Sequence, residues 1–582
     1  MLISLAIAFV VTPWLARRWM KPHTGEGAAD GHAGLAAKLE PRLQRIFGPL
    51  LDARRGARNR ALLGLAVAGL IALSVLLPVV GWVQLKMLPF DNKSEFQVVV
   101  DMPAGTPLEE TAAVLRELGA HLATVPEVRD YQAYAGTAAP INFNGLVRQY
   151  DLRAASELGD IQVNLVDKAH RKDQSHAIAM RVRPALQEIG KRWNANVKVV
   201  EVPPGPPVMA PIVAEVYGPE PAGRRQVTEA VRAVFERTDG VVDVDSTTIA
   251  AAPRKLLLVD RRKAALAGVS QQAIVATLRA GLAGDAATYL RDASKVPVPV
   301  WLQLPDDSHG SLDALLQLTV RGTAGQAVPI RELVTVSTTP DDLQREQPLY
   351  HKDLLPVDYV QGDMAGRVDS PLYGMFAMRS AIAQIQAPGG AALKETFVAM
   401  PEDALRDYTL RWDGEWRITY ETFRDMGAAY AVGLVLIYLL VVAQFGSYLA
   451  PLIIMAPIPL TIIGVMPGHA LFGSQFTATS MIGMIALAGI IVRNSILLVD
   501  FIKQQVAAGM NFHDAVIQSA AVRAKPIALT ALAAMLGALF ILDDPIFNGL
   551  ALALIFGILV STLLTLVVIP VLYFSAFRKE HQ

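Results

Sequence analysis

The chain has 582 residues, 52% of them hydrophobic, with no formal net charge and no cysteine. Zero net charge leaves no electrostatic footprint for nucleic acid, and the missing cysteines exclude disulfides, thiolate catalysis and thiolate metal sites. The mean hydropathy of +0.35 is concentrated in long uncharged blocks, which points to a bilayer.

The opening run MLISLAIAFVVTPWLA is apolar, and Arg17, Arg18 and Lys21 follow it. A signal peptide carries its positive charge before the apolar run, so residues 1–20 are expected to end a membrane helix in a chain that begins in mid-protein. Residues 21–60 form a basic linker with an amphipathic helix, holding Arg42, Arg45, Arg54, Arg55, Arg58 and Arg60. Residues 61–82 are uncharged. At about 1.5 Å per residue they span a hydrocarbon core of about 30 Å.

From Lys86 to Asp425 the periodicity changes. Phe96, Val98 and Val100 alternate as in a half-buried strand. Thr106-Pro107-Leu108-Glu109 has the pattern of a capping box with proline at the first helical position. Leu108, Leu115, Leu118 and Leu122 continue at helical spacing, and a strand follows around Val128. The strand–helix–strand unit recurs with Ile161, Val163 and Leu165, then Ile178, Val182, Leu186 and Ile189, with a kink expected at Pro184, then Val197 and Val199. Residues 203–211 are proline-rich and read as a stiff connection. A third unit runs from Pro211 to Val244. Repeated split βαβ units predict ferredoxin-like α+β subdomains. One is expected over residues 83–202, and a second over 203–253 and 341–425, interrupted by an insertion at 254–340.

Residues 426–582 are expected to hold five more membrane helices, the first two divided by the polar stretch Gln444–Tyr448. Lys and Arg of the 17–60 segment, of the loop with Lys503, Arg523 and Lys525, and of the end with Arg578 and Lys579 all fall on one side. That side reads as cytoplasmic, which places 87–425 and Asp543-Asp544-Pro545 in the periplasm. The fold class predicted is an α-helical membrane bundle with α+β periplasmic subdomains.

The polar-interrupted helix pair from Gly427, the segment GIIVRNSILLVDF from Gly489 and RAKPIALT from Arg523 resemble the last helices of resistance-nodulation-division (RND) efflux pumps of the multidrug type. Val259-Asp260-Arg261 through Gly268-Val269-Ser270 resembles that family's docking-subdomain entry, and Thr12-Pro13 with Lys21-Pro22 its sixth helix. The resemblance covers nearly the whole chain and implies the C-terminal half of a bacterial inner-membrane permease. It also implies a homotrimer working with a periplasmic adaptor protein and an outer-membrane channel, surrounded by lipid. The proton gradient would supply the energy, with no cofactor, to export a small-molecule substrate. No phosphate loop, Ser-His-Asp order or EF-hand pattern stands out, so enzymatic or ATP-driven activity is not expected.

Arg493 is a cation deep in an apolar helix, which costs several kcal/mol unless it faces a partner or a wet cavity; the ordinary alternative is a snorkelling side chain. The resemblance places Arg493, Asn494, Arg523 and Thr530 in a proton relay, with arginine where the family's best-known members have lysine. Arginine keeps its charge when buried, so Arg493 is expected to be a fixed counter-charge. Thr530 has the alternative of bonding its own helix backbone, and Arg523 that of a positive-inside charge. No Asp or Glu falls near the middle of any expected helix; Asp500 is near an end. The chain is therefore expected to need its missing N-terminal half for the acidic partners. By the same resemblance Tyr131–Tyr150 covers the switch loop, with Tyr131, Tyr134, Asn142, Phe143 and Arg148 as substrate-binding candidates and a polar turn at Asn142–Gly145. Ordinary strand packing is the alternative for these aromatics.

A heavy-metal RND pump is the nearest rival, since thioether sulfur suits soft metals. Met102 and Met209 are more simply core or loop residues, and His469 has no ligand-like spacing to another histidine. A non-transporting membrane sensor and a remnant of a split gene are the readings outside transport.

Overall fold

The structure is a computed structural model that describes residues 2–19, 28–52, 55–249, 254–293, 295–305, 308, 310–346, 348–366 and 368–580. Lys21, Pro22 and Arg54 lie outside the described residues. The chain divides into one large compact unit and a smaller one, residues 247–349 with 103–106.

Helix α1 (Leu2–Trp19) ends in Arg17 and Arg18. Helix α2 (Ala28–Leu51) packs Phe47 and Leu51 into the helical core. Helix α3 (Gly56–Val79) starts before the uncharged stretch because Arg58 and Arg60 also fit a helix; Arg60 Nη1 donates to Leu50 O at 2.8 Å. After α3 the chain runs beside Phe476: Phe476 N donates to Gln84 O at 2.8 Å and Lys86 N to Phe476 O at 3.1 Å.

Strand β1 (Glu95–Asp101), helix α4 (Leu108–Leu122), strand β2 (Val128–Ala135), helix α5 (Phe143–Arg148), strand β3 (Leu158–Leu165), helix α6 (Ser175–Arg192) and strand β4 (Asn196–Val200) build one sheet, order β2-β3-β1-β4. Phe96, Val98, Val100, Ile161 and Val163 bury one face under Leu115, Leu118, Ile178 and Val182 of α4 and α6. The expected half-buried strand is corrected, because Val99 on the other face is also buried, against Tyr150 and Val200. The capping box is corrected too. Pro107 is the N-cap with no side-chain hydrogen bond, and Thr106 Oγ1 donates to Pro103 O, so Glu109 and Glu110 alone meet the first-turn dipole. Helix α6 runs through Pro184 unbroken.

Strand β5 (Ile212–Tyr217), helix α7 (Pro221–Arg237) and strand β6 (Val241–Ser246) begin a second sheet. The chain then enters the smaller unit. It holds strand β7 (Leu257–Val259), helices α8 (Arg261–Leu266) and α9 (Gln271–Ala283), and the hairpin β8 (Asp285–Leu290) and β9 (Val298–Leu302). Helix α10 (Leu312–Gln317), strands β10 (Thr319–Arg321) and β11 (Ala327–Pro329), helix α11 (Ile330–Leu333) and strand β12 (Val334–Val336) complete it. Asp260 and Ser270 cap α8 and α9, and Ile274, Val320, Ile330 and Leu333 form its core. The second sheet resumes with β13 (Tyr350–Lys352), β14 (Leu355–Met364), helix α12 (Pro371–Ile382), β15 (Lys394–Thr396) and β16 (Thr409–Gly414). Its order is β13-β14-β5-β16-β15, with β6 also on β14. Without β13 and β15 this repeats the β2-β3-β1-β4 order of the first sheet. Val216, Val231, Phe235, Met378 and Trp412 fill the core under α7 and α12.

Gly414 turns β16 into helix α13 (Glu415–Phe445) at φ +79°, where a Cβ would lie 2.6 Å from Ala210 O. Helices α14 (Leu449–Met455) and α15 (Ile462–Phe472) continue each other through a 3-10 turn at Pro459–Thr461. Helices α16 (Ala478–Ala507), α17 (Phe512–Leu539) and α18 (Asn548–Phe577) follow. Among the described residues, six helices are long and apolar enough to cross a membrane: Gly56–Val79, Glu415–Phe445, Leu449–Phe472, Ala478–Ala507, Phe512–Leu539 and Asn548–Phe577.

Candidate functional site

The midpoint of α16 separates the residues expected to form a relay. Gly483, Leu487, Ile491, Asn494, Ser495 and Leu498 face the bundle and are buried, while Ile482, Ala486, Gly489 and Arg493 form an exposed stripe. Arg493 has no ion pair or hydrogen bond among the described residues. Its neighbour Asn494 is 3% exposed, and Asn494 Oδ1 and Ser495 Oγ are buried with no hydrogen-bond partner. Arg523 lies over the Phe501 ring at 5.3 Å, and its Nε is buried without an acceptor. Thr530 is exposed, and its Oγ1 donates to Ile527 O at 2.9 Å. No hydrogen bond joins any two of these four within the described residues. His469 is buried in the helical core; its Nδ1 is 2.8 Å from Val465 O and its Nε2 2.9 Å from Ser480 Oγ, so a neutral ring uses both nitrogens.

The five extramembrane candidates also separate. Tyr131 and Tyr134 sit on opposite faces of β2. The Tyr131 ring covers Gly119 of α4, where a Cβ would come within 2.5 Å of it. Asn142 N-caps α5 by accepting from Gly145 N at 2.7 Å, and its Nδ2 donates to Gln162 Oε1 at 3.0 Å. The expected polar turn at Asn142–Gly145 is therefore the first turn of a helix, because the Asn142 cap starts it. Phe143 is 47% exposed. The Arg148 side chain is 7% exposed and lies 3.9 Å from Asp363 Oδ2 of β14.

That last contact belongs to a seam of buried charge where β4 meets β6. The first sheet and its helices supply cations: Lys198 reaches Asp245, Arg183 reaches Asp243, Arg148 faces Asp363, and Lys86, just before β1, lies 2.8 Å from Asp369. The second sheet supplies Asp243, Asp245 and Asp363, and the segment before α12 supplies Asp369. Lys198 is 1% exposed on its side chain and also donates to Asp101 Oδ2 at 2.5 Å. Burial pushes the Asp101 carboxyl up, but the charges of Lys198 and Arg153 outweigh it and hold it at about 2. Asp243 adopts φ +53°, a left-handed conformation uncommon for a residue with a side chain, where the β6–β14 register shifts. At one end of the seam His176 donates from Nδ1 to Glu201 at 2.7 Å and stacks on Phe90 at 4.3 Å between centroids. Burial pulls the His176 ring down, but the hydrogen bond and charge of Glu201, with Asp369, raise it above the ordinary imidazole value.

Of these groups only Arg148 stood out in the sequence. The available signal for two others was a charge inside an apolar run: Lys198 between Val197 and Val199, and Asp243 between Val242 and Val244.

The AcrB/AcrD/AcrF family model matches residues 1–576. The chain belongs to this family of RND permeases. Within it, the chain is 22% identical over 600 aligned residues to the nickel-cobalt-cadmium resistance protein NccA of Alcaligenes xylosoxydans xylosoxydans, covering 100% of this chain and 52% of that protein. It is 32% identical over 173 residues to the multidrug resistance protein MdtC of Serratia proteamaculans, covering 29% of this chain and 17% of that one. The crystal structure of a heavy metal efflux pump superposes with a TM-score of 0.70 at 20% identity, covering 93% of this chain and 53% of that pump. This RND permease chain thus spans about half the length of relatives that align with all of it.

Proposed function

We propose that the chain is the C-terminal half of an inner-membrane RND permease that exports small amphiphilic molecules using the proton gradient. The two βαββαβ sheets would be ferredoxin-like porter subdomains in the periplasm, and residues 247–349 the docking insertion. The working assembly would be a trimer completed by an N-terminal half, a periplasmic adaptor and an outer-membrane channel. One observation carries the reading: the Arg493 guanidinium sits partway along an apolar helix, on an exposed stripe whose neighbours Ala486 and Gly489 leave room for close approach. Such a charge calls for an acidic partner on a facing helix. Arg493 would hold a fixed positive charge there while those carboxylates load and release protons.

The test co-expresses the chain with an N-terminal half carrying two adjacent intramembrane aspartates and follows accumulation of cationic dyes in cells. Accumulation should fall, recover when a protonophore collapses the gradient, and recover in Arg493→Ala. Efflux indifferent to the protonophore, or undiminished in Arg493→Ala, would sink the proposal. Metal export is a second reading, supported by the likeness to NccA over the full chain. Protection of cells from Ni²⁺ and Co²⁺ but not from dyes would select it.

A further inference from the structure

His176, at the start of α6, stands between two carboxylates from different parts of the fold. Its Nδ1 lies 2.7 Å from Glu201 Oε2, just after β4, and its Nε2 3.5 Å from Asp369 Oδ2, in the segment before α12. The Phe90 ring stacks on the imidazole and fixes its plane. The other charges around it come from four elements. Lys86, after α3, is 2.8 Å from Asp369. Arg183 of α6 is a further cation near Glu201. Glu415, the first residue of α13, stands near Lys86 and Asp369. Asp543, before α18, lines the cavity of about 470 Å³ onto which His176 and Asp369 also open. Through that cavity water reaches the ring, whose side chain is 25% exposed.

The two contacts need a proton on both ring nitrogens. A neutral imidazole donates from one nitrogen only. With its proton on Nδ1 for Glu201, the bare Nε2 turns a lone pair on Asp369. In the other tautomer the lone pair faces Glu201 at 2.7 Å. Only the imidazolium satisfies both carboxylates. Burial opposes its charge, but the hydrogen bond and charge of Glu201, with Asp369, outweigh burial and raise the ring above the ordinary imidazole value. The tie is therefore present in acid and near-neutral solution and is lost as pH rises through that raised value. The lysine and arginine cations of the seam keep their charge throughout this range.

We infer that His176 is a proton-operated latch between the first subdomain and the α12 end of the second, closed by protonation and released in alkaline solution. The Arg183–Asp243 and Lys198–Asp245 pairs hold β4 against β6 as the pivot. The latch reads the proton concentration on the side of the membrane where the two sheets stand. It goes beyond the efflux proposal and stands without it, because closure needs neither a substrate nor a gradient.

The test places spin labels at Lys172→Cys, before α6, and Ser380→Cys, on α12, in the otherwise cysteine-free whole chain in nanodiscs. Both positions are exposed. Pulsed electron resonance should record one distance in acid solution and a second, longer one that grows as pH rises, with a midpoint above about 6.5. Glu201→Gln removes the nearer negative charge and should move the midpoint down by about one pH unit. His176→Gln, with a single donor nitrogen, should show the longer distance at every pH. A single distance across the whole range, or the same titration in His176→Gln, would overturn the latch. Should His176→Gln fail to fold, an unmoved midpoint in Glu201→Gln overturns it alone. Dye efflux is measured separately and bears on none of these outcomes.

Discussion

Lys198 lies between two buried valines of β4, yet its ammonium is satisfied by two carboxylates, Asp101 from its own sheet and Asp245 from the next. Removing one member of such a group is costly because the remainder stays buried and uncompensated. Asp101 gives this a pH signature. Its folded-state value, about 2, is below the ordinary carboxylate value, so the unfolded chain takes up the proton first as pH falls. The stabilisation is therefore complete above about pH 4, is lost as pH falls through about 2, and amounts to roughly 2 kcal/mol. Denaturant unfolding followed by tryptophan fluorescence should find Asp101→Asn less stable than wild type by that amount at pH 7, with the gap closing near pH 2. A gap independent of pH would show that Asp101 acts by packing alone. Little of this was visible in the sequence, because one charge in an apolar run does not name a partner some fifty or a hundred residues away. Arg493 was visible for the converse reason: the uncharged apolar run Met481–Val492 before it makes its cost evident without any partner.

Helices announce themselves by composition, and their contacts by their smallest residues. Gly464 and Gly468, four apart on α15, both press on Phe556 of α18; a Cβ at Gly464 would lie 2.2 Å from Phe556 O. Gly433 on α13 meets nothing within 4 Å. Gly464→Ala should therefore lower thermal stability in detergent, costing about 1–3 kcal/mol, while Gly433→Ala should leave it unchanged. Equal melting of the two variants would remove the close helix approach. Alternation and spacing marked β1, α4, β3 and α6 in the sequence, because each presents an apolar face of the right period. The Thr106 cap was misread because the pattern does not fix where the helix begins, and Pro107 took the capping position. The second covered face of β1 was illegible, since Val99 meets Tyr150 from a segment with no period of its own.

At the scale of the molecule, the insertion leaves and re-enters along one edge of one strand. Ser246 of β6 pairs with Val360 and Tyr350 of β13 with Val357, both on β14. Three residues of strand separate the two points, about 10 Å. Replacing residues 247–349 by a flexible linker of about six residues should leave the large unit folded, with the monodispersity of the parent in size-exclusion chromatography. Aggregation of the excised chain would mean the insertion is part of the large unit's stability. Apart from β13 and β15 the order of the two sheets is the same, so their shared strands look alike. The charge tells them apart. On the first subdomain's side Lys86, Arg148, Arg183 and Lys198 outweigh Asp101 and Glu201, and aspartates face them from the second, so two copies of the same side brought face to face would repel. In a crowded assembly of look-alike modules, sign serves as an address: each can recognise its mate and reject its own duplicate before any side chain has packed.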